Sequence, residues 1–148
     1  MKRILVPLDL RTEPDAIARV VADAARGAGA TVRLLHVAEV PEAVIDVDGH
    51  TLSYADQEAA RVEAEAMDYL HVIEFLLDGI PVESVVRFGD PAEEILAEAD
   101  VFGADLIALT MSRGTGLRRF LLGGTAMRVA RRAEVAVLLL QAPAFLAA

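Results

Sequence analysis

The residues best suited by type and spacing to chemistry are the glycines around the last helical pattern. Met111-Ser112-Arg113-Gly114-Thr115-Gly116 follows an apolar run, and Gly123-Gly124-Thr125 opens the helix. Glycine lets backbone approach a ligand closely. A helix N-terminus offers unpaired N–H groups and the positive end of a dipole, a combination that holds phosphate. Thr125 adds a hydroxyl, and Arg113, Arg118 or Arg119 adds a guanidinium. The plainer reading is that these glycines are turn residues between a strand and a helix. Asp9, directly after the first apolar run, is the one acid recommended by position alone, because most of the others fall on solvated helix faces.

Other chemistries lack their residues. The only lysine is Lys2 and there is no G-x-x-x-x-G-K-[ST], so a P-loop is excluded. No G-x-G-x-x-G follows the first strand and no G-x-S-x-G occurs anywhere. Cysteine is absent, which removes disulfides, thiolate metal sites and Cys nucleophiles. His36 falls in the second strand, His50 in a loop and His71 on a helix, with no metal spacing among them. Nothing assembles a nucleophile, a base and an oxyanion site. The expectation is a protein that is not an enzyme, with no catalytic residue and no metal site.

The elements that must position these residues are legible from periodicity. Ile4-Leu5-Val6 is a continuous apolar run, as in a strand buried on both faces. Ile17, Val20, Val21, Ala24 and Ala28 mark a helix from Pro14, ended by Gly27 and Gly29. Thr31 to Val37 is a second strand, and residues 38–53 form a polar, Pro-containing connection. A long helix from Tyr54 to Asp78 buries Ala59, Val62, Ala66, Leu70, Ile73 and Leu77. Val82 to Phe88 is the third strand. Asp90 then caps a helix with Pro91 at its first position and Glu93 closing a capping box, and Gly103 ends it. Asp105 to Met111 and Val135 to Leu140 are the fourth and fifth strands, around a helix that ends near Ala133. Strands alternating with helices, with no hairpin signal, imply a doubly wound parallel sheet in a three-layer α/β fold, one domain over residues 1–148. Ligands of such sheets bind beyond the carboxyl ends of the strands.

Charge narrows the partners. The net charge is −9, which opposes binding to a phosphate backbone, so no nucleic acid is expected. Yet residues 113–132 hold six Arg and no acid, a patch suited to a small anion or to the solvated end of a helix. No apolar run reaches the length of a membrane span, and Pro7 and Asp9 end the first run too early for a signal peptide. A cytoplasmic location and no membrane partner are expected.

Ile4-Leu5-Val6-Pro7-Leu8-Asp9, the segment from Val82 to Ile95 containing Gly89-Asp90-Pro91, and Ala104-Asp105-Leu106-Ile107-Ala108-Leu109 form a recognisable set. Together they resemble the universal stress protein family. Ser112-Arg113-Gly114 and Leu117 to Val129 continue the likeness over nearly the whole chain. The resemblance implies an adenine nucleotide alpha hydrolase-like sheet of five parallel strands, order 3-2-1-4-5, with four helices. It implies a stress-response or signalling protein that binds ATP or AMP, with magnesium if ATP, and forms a homodimer through the C-terminal strand 135–140. The alternative within the family is a nucleotide-free dimeric interaction protein. The family's G-x2-G-x9-G-[ST] pattern falls on Met111, Gly114, Gly124 and Thr125, so methionine stands where the first glycine belongs. In a second register Gly123 takes the place of the last glycine. The implied nucleotide-binding residues are Asp9, Val37, Met111, Arg113, Gly114, Gly123, Gly124 and Thr125.

The Met111 departure generates a test. A methionine directed into the core is harmless, whereas one lying across the crevice occupies ligand space. If Met111 blocks, Met111→Gly raises ATP affinity at least tenfold, about 1.4 kcal/mol, in titration calorimetry. Equal or weaker binding removes the blocking role.

Overall fold

The computed structural model describes residues 2–112 and 124–142. Its centre is β1 (Arg3–Pro7), in which Ile4, Leu5 and Val6 are all buried. Side chains alternate across a strand, and here the two faces enter different cores. Ile4 and Val6 pack with α1 (Pro14–Ala28) and α2 (Ala55–Leu76), while Leu5 packs with α3 (Pro91–Phe102) and α4 (Thr125–Arg132). The apolar run therefore reads as it should for a central parallel strand covered on both sides.

Beside β1 lie β2 (Thr31–Ala38) and β6 (Leu106–Ser112), with β5 (Val82–Phe88) and β7 (Ala136–Ala142) at the edges. The sheet order is β5-β2-β1-β6-β7, and every pairing is parallel. Counting only these five strands, this is the expected order 3-2-1-4-5. The chain winds outward from β1 in both directions, so the helices divide between the two faces.

Residues 38–53 depart from expectation. They contain an antiparallel hairpin, β3 (Val44–Ile45) with β4 (Thr51–Ser53), where no hairpin was expected. The overlooked signal is Asp48-Gly49, a dipeptide that favours tight hairpin turns, with Gly49 at φ 83. The hairpin stands outside the main sheet, and Val44, Ile45, Val47 and Leu52 are exposed on it. Helix α2 keeps its predicted stripe: Ala66, Leu70, Ile73 and Leu77 are buried, and Ala59 and Val62 half-buried.

Helix α3 sits where the site requires it for two reasons. The Asp90 carboxylate accepts from the Glu93 amide at 3.0 Å, forming one half of the expected capping box. Gly89 has φ 144, and a Cβ there would lie 2.9 Å from Glu94 Oε1, so only glycine makes this strand-to-helix turn without strain. Further along, the buried Glu98 accepts from Arg33 of β2 at 2.8 Å and from Arg87 of β5 at 2.7 Å. Arg33 also reaches Glu83 and stacks 4.2 Å above the Phe102 ring. Two strands thus grip one face of α3 by charge.

Leu5 is fully buried at the middle of the sheet. Leu5→Ala should cost about 2–5 kcal/mol. The check is a urea unfolding curve with a lower midpoint and an unchanged slope.

Candidate functional site

At the carboxyl ends of β1, β2 and β6 lies a crevice of about 240 Å³. It opens at β1, where the winding reverses, the position at which open α/β sheets bind ligands. Leu35, Leu109 and Ile95 give it apolar walls, and Asp9, Arg11, His36 and Thr125 give it polar groups. Among the residues implicated by sequence, Asp9, Val37 and Thr125 meet here. Gly124 is the N-cap of α4, immediately before Thr125. Met111 continues β6 opposite Gln141 of β7. Arg113, Gly114 and Gly123 lie outside the described residues.

The segment that presents Asp9 is tightly tied. The Leu8 amide donates to the Leu35 carbonyl at 2.8 Å, and His36 Nδ1 meets the Leu8 carbonyl at 2.8 Å. Because a carbonyl only accepts, that ring nitrogen carries the proton. Asp9 Oδ1 accepts from the Arg11 amide at 2.9 Å. The hydroxyl of the half-buried Tyr69 donates to the Thr12 carbonyl. Burial, and then the Asp9 charge, push the Tyr69 hydroxyl well above its usual ionisation range, so it remains a donor. Between these ties Leu10 has φ 69, left-handed backbone in a non-glycine residue, a strain of roughly 1–2 kcal/mol. From the neighbouring strand β6 the Thr110 hydroxyl donates to the Pro7 carbonyl at 3.4 Å.

Sequence reasoning missed His36 as a lining residue, because a lone histidine in a strand has no spacing signal. It also missed the partner of Asp90. Arg128 of α4 grips that carboxylate with both terminal nitrogens, each at 2.9 Å. The bidentate pair joins the N-terminus of α3 to the first turns of α4. Pro91 and Thr125, each one residue beyond an N-cap, line the crevice on these two helices.

Two other features are clear of this crevice. A larger hollow of about 370 Å³ lies at the amino ends of β6 and β7, lined by Asp100, Arg132 and Glu134 among others. That is the opposite end of the sheet from the usual ligand position. In the hairpin, Asp46, Asp48 and His50 come together, a grouping that histidine spacing alone does not reveal. There Asp46 Oδ1 accepts from the Asp48 amide at 3.0 Å and the His50 amide at 2.8 Å, closing the turn.

The model of the Universal stress protein family matches residues 1–141. The chain belongs to that family. A universal stress protein of Methanocaldococcus jannaschii is 38% identical over 65 residues, a stretch covering 44% of this chain and 38% of that curated relative's length. A crystal structure of a universal stress protein in complex with cAMP superposes with a TM-score of 0.64 at 18% identity, covering 95% of this chain and 97% of that one. A universal stress protein from Archaeoglobus fulgidus, in complex with dAMP, gives a TM-score of 0.61 at 19% identity, with 94% and 97% covered. At these identities the likeness establishes the shared fold. Among the described residues no helix is long and apolar enough to cross a membrane.

The Asp90–Arg128 pair has a consequence for pH. Arg128 first, and then the Glu93 amide, hold the Asp90 carboxyl below its ordinary range. A carboxylate with a depressed folded pKa stabilises the fold above its unfolded value, about 4. That contribution fades as pH falls through the lower folded value. Asp90→Asn should therefore narrow the difference between urea midpoints measured at pH 7 and pH 3.

Proposed function

We propose that the protein is a stress-response or signalling protein that binds an adenine nucleotide, AMP or ATP, in the crevice at the carboxyl ends of β1, β2 and β6. The observation that carries this reading is the meeting of Asp9, Val37 and Thr125 around one crevice at the point where the winding reverses. Apolar walls suit a flat base, and acceptors on Asp9 suit amino or hydroxyl groups. Thr125 and the N–H groups that open α4 suit phosphate. The family relatives bound to cAMP and dAMP support an adenylate as the ligand class. Arg113, Gly114 and Gly123 complete the proposed set, with magnesium accompanying ATP. In this reading the protein binds and signals and does not catalyse.

The same protein is proposed to act as a homodimer. Strand β7 is the last in the sheet order, and its Leu138 and Leu139 are exposed at 41% and 39%. An uncovered apolar edge invites pairing, and antiparallel pairing of residues 135–140 across a two-fold axis would cover it. Should nucleotide binding fail, this edge favours the second reading, a nucleotide-free dimer that acts through its surfaces.

Two measurements test these statements. In titration calorimetry with AMP, and with ATP and magnesium, Gly124→Val should abolish binding. Thr125→Ala should weaken it by about 1 kcal/mol. Affinity unaltered by both changes would place the nucleotide elsewhere. Light scattering at micromolar concentration should give the dimer mass, and a clean monomer would refute the edge pairing.

A further inference from the structure

The turn that carries Asp9 is held in a conformation it would not choose alone. Leu10 is the one non-glycine residue at positive φ among the described residues, and such backbone persists only where its surroundings over-determine it. Among the described residues, four hydrogen bonds contribute to that constraint. The Leu35 carbonyl takes the Leu8 amide, Asp9 Oδ1 takes the Arg11 amide, Tyr69 donates to the Thr12 carbonyl, and His36 Nδ1 donates to the Leu8 carbonyl.

These bonds are not equivalent. The Leu35 carbonyl bond continues the sheet and ends before the turn begins. The Asp9–Arg11 bond lies inside the strained turn, so it ties the turn to nothing outside and opens when the turn relaxes. The Tyr69 bond fastens the far end, at Thr12. Only the His36 bond among them acts on the carbonyl of the Leu8–Asp9 peptide. That peptide is a rigid plane, so holding its oxygen limits the rotation that would carry the Asp9 side chain away. His36 is itself a residue of β2, paired with Val86 of β5, and has little freedom to follow a moving loop. It also lines the crevice that Asp9 lines.

We infer that His36 is a positioning residue for Asp9: its Nδ1–H, bonded to the Leu8 carbonyl, anchors the Leu8–Thr12 turn to the sheet and keeps the Asp9 carboxylate at the crevice. The idea requires a hydrogen-bond donor at this position and not a positive charge. Its structural half stands without any ligand. Its functional half, that losing the anchor weakens the ligand, rests on the nucleotide reading proposed above.

The discriminating variants are His36→Phe, which keeps a ring and removes the donor, and His36→Asn, whose side-chain amide can donate from near the Nδ1 position. His36→Ala replaces the Phe variant if that protein does not fold. The first readout is water exchange of the Arg11 amide, followed by NMR in ligand-free protein, with the Val6 and Leu34 amides as reporters of the intact sheet. The donor-less variant should exchange at Arg11 at least tenfold faster than the unaltered protein while Val6 and Leu34 stay protected. His36→Asn should stay within about threefold of the unaltered protein. The second readout is AMP titration, in which affinity should fall at least tenfold in the donor-less variant and return in His36→Asn. Unchanged Arg11 exchange in the donor-less variant, or an equal rise in both variants, overturns the inference. If AMP binds the unaltered protein and the donor-less variant equally well, the functional half is overturned. If the unaltered protein binds no AMP, the nucleotide reading falls with that half, and Arg11 exchange still decides whether His36 anchors the turn.

Discussion

Burying both faces of β1 is the constraint from which the architecture follows. Ile4, Leu5 and Val6 leave no polar side for water, so helices must cover the sheet above and below. Parallel strands need crossover connections, and these place α1 and α2 on one face and α3 and α4 on the other. Because the chain winds away from β1 in both directions, the connections part just beyond its carboxyl end. The crevice is the gap they leave. Its position is a consequence of how the core is buried.

Hydrophobic packing fixes the layers, but directional bonds shape the mouth of the crevice. Glu98 is buried between Arg33 and Arg87, and removing one partner from such a group leaves charge without compensation. This interaction holds α3 to β2 and β5. The Asp90–Arg128 pair is exposed and individually weak. Its value lies in geometry, since two parallel bonds restrict how α4 can swing relative to α3. Across the crevice, the Leu8–Thr12 turn carries strain that its hydrogen bonds must offset. One wall is therefore set by ion pairs and the other by a pinned turn.

The main sheet was legible because its signals are local and repeated. Apolar runs, the Asp90-Pro91 helix start and the glycine ends at Gly29 and Gly103 each act within a few residues. The hairpin at 44–53 was harder to read, since two short strands give almost no alternation and one dipeptide carried the signal. Asp9 was readable from its place after β1 and Thr125 from its place at a helix N-terminus, whereas Val37 was implied only by the family resemblance. His36 was not readable, since its neighbour Leu8 is 28 positions away and the bond joins a ring to a backbone carbonyl.

By itself, the sequence determined the alternation of strands and helices, the burial of β1 and the end of the sheet at which a ligand would sit. Residue type and period act along the chain, and burial of apolar surface rewards them almost regardless of detail. Tertiary structure alone decided which donors meet which acceptors. The pairing of Arg128 with Asp90, the grip of Arg33 and Arg87 on Glu98, and the bond from His36 to Leu8 all depend on placements good to a fraction of an ångström. A hydrogen bond weakens steeply outside its narrow range of distance and angle, and no periodicity along the chain encodes that precision.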